Sequence, residues 1–196
     1  MTMAVQRRRL LPVFAVVIAV AGGAYWFTGR ADGEHTPLDG VTVGAPVGVG
    51  AAVDADALQQ HLEKHPRDSR AWAILARLRF GGDRYTEAAD AYRHALDLPG
   101  KVARDPLVWC EYADALAMAQ GGRLAGRPVE LIEHALALDP RHPRALEMAG
   151  SARVELGDYA GALQYWEMLL KVLPADSGQY RALAMAVERT RQRAGR

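Results

Sequence analysis

The sequence holds a single cysteine among 196 residues. No intramolecular disulfide, no Cys-x-x-Cys redox or zinc pair and no Cys-x-x-Cys-His haem-attachment site can be built from it. Charge of one sign is also missing, since the formal net charge is +1. A generic nucleic-acid binder carries a marked basic excess, so that class is disfavoured. Serine occurs only at Ser69, Ser151 and Ser177, and none lies in a nucleophile-elbow context. No strand pattern precedes a glycine-rich turn, which excludes a phosphate-cradling loop. Covalent haem carriage, dithiol oxidoreduction and serine catalysis are thereby removed, and no cofactor site is expected.

The near-neutral charge conceals an uneven distribution. Arg7, Arg8, Arg9 and Arg30 precede the first acidic residue, Asp32; removing these four from the 24 basic residues leaves 20 against 23 acidic ones. A basic head precedes a mildly acidic body. Between Arg9 and Arg30, residues 10–28 carry no charge and are rich in Val, Ala, Leu, Ile and Phe. As a helix this run covers roughly 28 Å, about one hydrocarbon core. Two readings fit: a spanning anchor, or a cleaved signal peptide ending near Ala19-Val20-Ala21. The anchor is favoured because the apolar run continues through Tyr25, Trp26 and Phe27, where an interfacial aromatic belt belongs. Residues 1–9 are then cytoplasmic, and the rest is exported to the periplasm of a bacterial cell on a single inner-membrane pass. Residues 29–52 include six glycines and two prolines without helical period. They read as a flexible linker with a reach of roughly 25 to 30 Å.

From residue 53 onward, alanine and leucine recur at intervals of three and four, predicting an all-helical domain over 53–196. Tyr85, Ala88, Ala91, Tyr92, Ala95 and Leu96 return 74 residues later as Tyr159, Ala162, Tyr165, Trp166, Leu169 and Leu170. Trp72, Trp109 and Leu146 are spaced at 37, whereas Ala95, Ala135 and Leu169 are spaced at 40 and then 34. A 34-residue unit with short insertions in Gly100 to Asp105 and Gly121 to Gly126 explains both series. This helix-turn-helix unit resembles the tetratricopeptide repeat, with a large residue early in the first helix and small ones where the helices cross. The expected crossings are Ala76 against Ala88 and Gly150 against Ala162. Repeats are predicted at about 69–102, 106–142 and 143–176. Ala55 to Lys64 would cover the front of the solenoid, and a last amphipathic helix opened by Ser177 would cover the back.

Several tracts carry a more specific likeness. Trp109-Cys110-Glu111-Tyr112-Ala113-Asp114, the Gly121-Gly122-Arg123-Leu124-Ala125-Gly126 insertion, Ala135 to Pro140, and Gly157-Asp158-Tyr159 to Pro174 resemble the periplasmic repeat domain of cytochrome c maturation proteins of the CcmI/CycH/NrfG type. The resemblance spans about residues 55 to 190. It implies a non-enzymatic chaperone that holds the C-terminal helix of an apocytochrome c and presents it to the haem lyase membrane subunits. With one apolar run, the chain resembles the short, single-anchor form. A general repeat scaffold for an envelope or secretion complex is the alternative.

The repeat register places the first helix of each unit on the concave face, forming a groove suited to an amphipathic helix. Arg70, Ala73, Arg77 and Phe80 are its expected lining from the first unit. Leu107, Cys110, Asp114, Ala117 and Met118 follow from the second, and Arg144, Glu147, Ser151, Val154 and Glu155 from the third. Cys110 has no basic flanking residue to lower its pKa and behaves chemically as a small hydrophobe. His61 and His65 share one helix face, but Glu does not follow the first His and no third ligand is evident, so no metal site is expected. His94 and His134 occupy equivalent positions on a face expected to meet solvent. Trp72, Trp109, Tyr92 and Trp166 are expected in the core.

Overall fold

The computed structural model describes residues 54–195. The anchor, its topology and the glycine-rich linker lie outside these residues. The described chain forms eight α-helices and no strand. They are α1 (Ala55–Lys64), α2 (Ser69–Gly81), α3 (Tyr85–Asp97), α4 (Pro106–Ala119), α5 (Arg127–Leu138), α6 (Pro143–Glu155), α7 (Tyr159–Leu170) and α8 (Gly178–Ala194). Among the described residues, no helix is long and apolar enough to cross a membrane.

Local chemistry explains where the helices start. Asp68 accepts from the Ala71 N–H at 3.0 Å, Asp105 from Leu107 at 2.9 Å, and Ser177 from Tyr180 at 3.0 Å. Such a cap is worth about 1 kcal/mol because it satisfies an otherwise unpaired backbone donor. Pro106 and Pro143 occupy first-turn positions, where a missing N–H costs nothing.

Helices α2 and α3, α4 and α5, and α6 and α7 pair within repeats, and each repeat packs on the next. Ala76, Ala88 and Ala91 are fully buried in the main core. Their short side chains let α2 and α3 approach closely, while Tyr92, Leu131 and Ile132 fill the space beside them. In the third repeat Gly150 and Ala162 are both buried, and Gly150 also faces Trp166, one turn beyond Ala162. A Cβ placed on Gly150 would meet the Trp166 indole, lying 2.7 Å from Cε2 and closer still to Nε1 and Cδ1. Gly150 therefore makes room for a large aromatic ring from α7.

Trp72 and Trp109 form matching latches. Trp72 Nε1 donates to the Pro66 carbonyl at 2.9 Å, and Trp109 Nε1 to the Ala103 carbonyl at 2.9 Å. Each indole thus ties its helix to a carbonyl six residues upstream. The first insertion, around a 3-10 turn at Val102–Arg104, supplies the second latch's acceptor. Both indoles are half-buried rather than deep in the core. His94 stacks on Trp72 with centroids 4.6 Å apart, and His134 lies 4.0 Å from Trp109. These histidines are exposed, yet each covers an indole instead of merely meeting water.

Helix α1 covers Ala71 and Leu75 with Leu58 and Leu62. Leu58 lies eight residues before Pro66, as Ile132 does before Pro140 and Trp166 before Pro174. The front helix thus occupies the place of a repeat's second helix. His61 Nε2 lies 3.0 Å from Asp68 Oδ2, joining α1 to the cap of α2.

Candidate peptide-binding groove

The first helices bring an ionic ladder together. Arg77 Nε and Nη2 donate to the Glu111 carboxylate at 2.9–3.0 Å, linking α2 to α4. Arg144 Nη2 donates to Asp114 at 2.7 Å, and its Nη1 to Glu147 at 3.0 Å, linking α6 to α4 and to its own first turn. Burial raises the Glu111 pKa, and Arg77 only partly offsets this. Burial likewise raises Asp114, against the opposing pull of Arg144. For both arginines burial works against the charge, but their carboxylate partners outweigh it and hold the pKa above the ordinary value. Each charge of the ladder is thereby paired within the domain, two arginines against three carboxylates.

Exposed apolar side chains flank the ionic rungs at the two ends of α4. Leu107 is 40% exposed and Met118 is 42% exposed. Arg70 is exposed at the N-terminal end of α2. Met118 borders a shallow cavity of about 280 Å³ with Tyr85 and Thr86, at the turn between α2 and α3.

Several residues expected on this face lie elsewhere. Ala73, Cys110 and Ala117 are buried. Cys110 packs in the main core with Ala145 and Met148 of α6, because the next repeat closes over that position. Burial pushes its thiol pKa up to about 12. Phe80 turns toward the core and meets Tyr85 edge-on at 5.3 Å. Val154 packs with Trp166, Ala186 and Val187, so α8 has claimed it. The Ser151 hydroxyl donates to the Glu147 carbonyl at 3.0 Å. Glu155 accepts from the Leu124 N–H at 2.8 Å and holds the second insertion. That insertion turns through Gly121, Gly122 and Gly126, all at positive φ near +80°, a conformation that favours glycine. Gln120 Nε2 also donates to the Ala125 carbonyl at 3.1 Å.

Glu111 is the residue that the register reading missed. It occupies the position of Ile74 and Met148, 37 residues to either side. A carboxylate in an apolar register position, 34 residues after an arginine, was the available signal.

The His142 side chain caps α6, its Nδ1 accepting from Ala145 N–H at 3.4 Å and lying 3.9 Å from Cys110 Sγ. Burial holds its pKa below the ordinary 6.5, although Asp139 and Asp105 oppose the shift. On acidification the unfolded chain takes up this proton first. The stability His142 contributes is complete above pH 6.5 and is lost as pH falls through the lowered folded value. His142→Asn should keep the cap and flatten that acid-side loss. Thermal melts from about pH 7 down to pH 5 check this; an identical decline in both proteins would refute it.

Stacked helix pairs with such a concave face define a tetratricopeptide-repeat solenoid. The solved structure of the first repeat domain of Spaghetti (RPAP3), bound to an HSP90 peptide, matches with TM-score 0.54 at 18% identity, covering 65% of this chain and 96% of that one. MamA matches with TM-score 0.55 at 12% identity, covering 72% and 86%. The chain belongs to the family described as Cytochrome c-type biogenesis protein H TPR domain, matched over residues 55–180. Cytochrome c-type biogenesis protein CycH of Pseudomonas aeruginosa is 30% identical over 136 residues, 69% of this chain and 33% of the relative. CycH of Bradyrhizobium diazoefficiens is 30% identical over 174 residues, 87% of this chain and 46% of the relative. The formate-dependent nitrite reductase complex subunit NrfG of Escherichia coli O157:H7 is 28% identical over 114 residues, 58% of this chain and 56% of that subunit. The chain thus spans about a third to a little over half of these relatives.

Proposed function

We propose that this domain is a non-enzymatic adapter of cytochrome c maturation. It holds a helical segment of an apocytochrome c, the C-terminal helix in particular, and presents it to the haem lyase membrane subunits. In this reading the domain works in the periplasm, on a single inner-membrane anchor. The supporting observation is the concave face, where Arg77–Glu111 and Arg144–Asp114 neutralise one another while Leu107 and Met118 stand exposed. A floor whose charges are mutually paired, with apolar steps, suits the apolar side of an amphipathic helix. Family membership names the process in which such a helix would be met.

Titrating the full chain with peptides from the C-terminal helices of the host's apocytochromes c tests the proposal. Micromolar affinity is expected, corresponding to roughly −8 kcal/mol. Leu107→Glu and Met118→Glu should each weaken binding about tenfold, since an inserted charge must be desolvated, with the melting temperature unchanged. Peptide binding no better than a scrambled control, together with normal holocytochrome c in a deletion strain, would overturn it in favour of a general envelope scaffold.

A further inference from the structure

Helix α8 does more than cover the back of the solenoid. Tyr180 follows Pro174 by six residues, as Trp72 follows Pro66 and Leu146 follows Pro140. By this register α8 is the first helix of a fourth unit, and it packs on α7 as α4 packs on α3. Its inner side buries Ala186, Val187 and Thr190, with Leu183 beside them. Arg181, Met185 and Arg189 recur every fourth residue and form one outer stripe. All three are exposed, Met185 by 61%.

These residues fall 34 positions after Glu147, Ser151 and Glu155, which the register assigns to the concave face. The acidic positions of α6 have become basic on α8. Glu147 is paired with Arg144, and Glu155 accepts from the insertion loop. Arg191 of α8 is likewise paired, with Glu167 and Glu188. Arg181 donates to the Asp176 carbonyl at 2.9 Å, but among the described residues neither it nor Arg189 is ion-paired with a carboxylate. The stripe therefore offers two cations without a carboxylate partner among the described residues, around one exposed methionine, next to a groove whose own arginines are already paired.

We infer that Arg181, Met185 and Arg189 form a second binding section that takes a carboxylate-bearing stretch of the same polypeptide ligand, an apolar residue flanked by acidic ones. This rests on the groove reading above and adds its electrostatic end. The groove centre supplies apolar contact, and α8 selects for acidic residues on the bound segment. Opposite charges across a rim govern encounter rate and salt response more than they govern packing.

The test uses the full chain, the Arg181→Ala/Arg189→Ala variant and Met185→Ala. The probes are a C-terminal apocytochrome peptide containing acidic residues and its counterpart with Glu and Asp replaced by Gln and Asn. The double variant should bind the acidic peptide about tenfold more weakly, as expected for lost charge-assisted contacts. It should lose the salt dependence shown by the wild type and bind the neutral peptide as the wild type does. Met185→Ala should weaken both peptides, and melting temperatures should stay unchanged because all three side chains are exposed. Equal affinity of the double variant and the wild type for the acidic peptide overturns the inference while leaving the groove reading intact. A wild type that binds neither peptide overturns both. Phosphatidylglycerol vesicles form the third arm: if the double substitution abolishes vesicle binding and leaves peptide affinity alone, the stripe is a lipid contact and the inference fails.

Discussion

Gly150→Ala should destabilise the domain by about 3 kcal/mol, an overpacking cost toward the high end for one added methyl group. At this chain length that corresponds to a fall in melting temperature of about 10 °C. The added Cβ would overlap the Trp166 indole, and the ring has little freedom to yield. It is buried, packs against Ala186 and Val187 of α8, and donates through Nε1 to the Glu147 carbonyl at 3.4 Å. Displacing it disturbs α8 and the α6 backbone together, so amide exchange in α8 should rise before exchange in α3. Trp166→Ala alone should cost about 3 to 5 kcal/mol through lost contact and residual cavity. A double-mutant cycle distinguishes steric conflict from a general loss of helix quality. In Gly150→Ala/Trp166→Leu the smaller side chain relieves the overlap, and the combined cost should fall well below the sum of the single costs. Strict additivity, or a Gly150→Ala protein that melts with the wild type, would refute this account.

Arg144→Met is also expected to destabilise the domain, through charge rather than packing. It strands Asp114 without its cation. Removing one partner of a fully buried pair costs about 3–5 kcal/mol. Here the Arg144 side chain is 40% exposed, so solvent screening reduces the expectation to about 1–2 kcal/mol at neutral pH. The deficit should shrink on acidification. Burial already raises the folded pKa of Asp114 above 3.8, even with Arg144 beside it; without that cation it rises further. The folded variant therefore takes up the proton before the unfolded chain does. The stability contributed by protonated Asp114 is complete below the usual carboxylate value and is lost as pH rises through the raised folded value. Melting the wild type and Arg144→Met side by side at about pH 7 and pH 4.5 measures the effect. A gap that stays constant or widens in acid would show that the lost stability is packing by the arginine stem instead.

Much of the scaffold was legible because it depends on neighbours in sequence. Ser177 announces the start of the last helix, and the 37-residue spacing of Trp72 and Trp109 correctly implied equivalent roles. The groove was harder to read because register tells which way a position turns but not what closes over it. Ala73 and Cys110 hold register positions expected to line the concave side, and both are buried. Val154 and Glu155 were claimed by α8 and by the insertion loop, contacts that depend on the third dimension. Glu111 hid in an otherwise apolar register position, since its partner is an arginine on another helix. That Gly150 also makes room for Trp166 was hidden for the same reason. Small residues signal close approach without naming what approaches.

The burial of Cys110 bears on how the proposed apocytochrome c ligand would be treated. With its pKa pushed up to about 12, the side chain is almost entirely protonated near neutrality and shielded from attack. A disulfide in the proposed apocytochrome ligand would find no accessible thiolate in this domain to attack it and form a mixed disulfide. Under the proposed function such a complex would be released by non-covalent dissociation alone, leaving the ligand's own cysteines untouched by this chain.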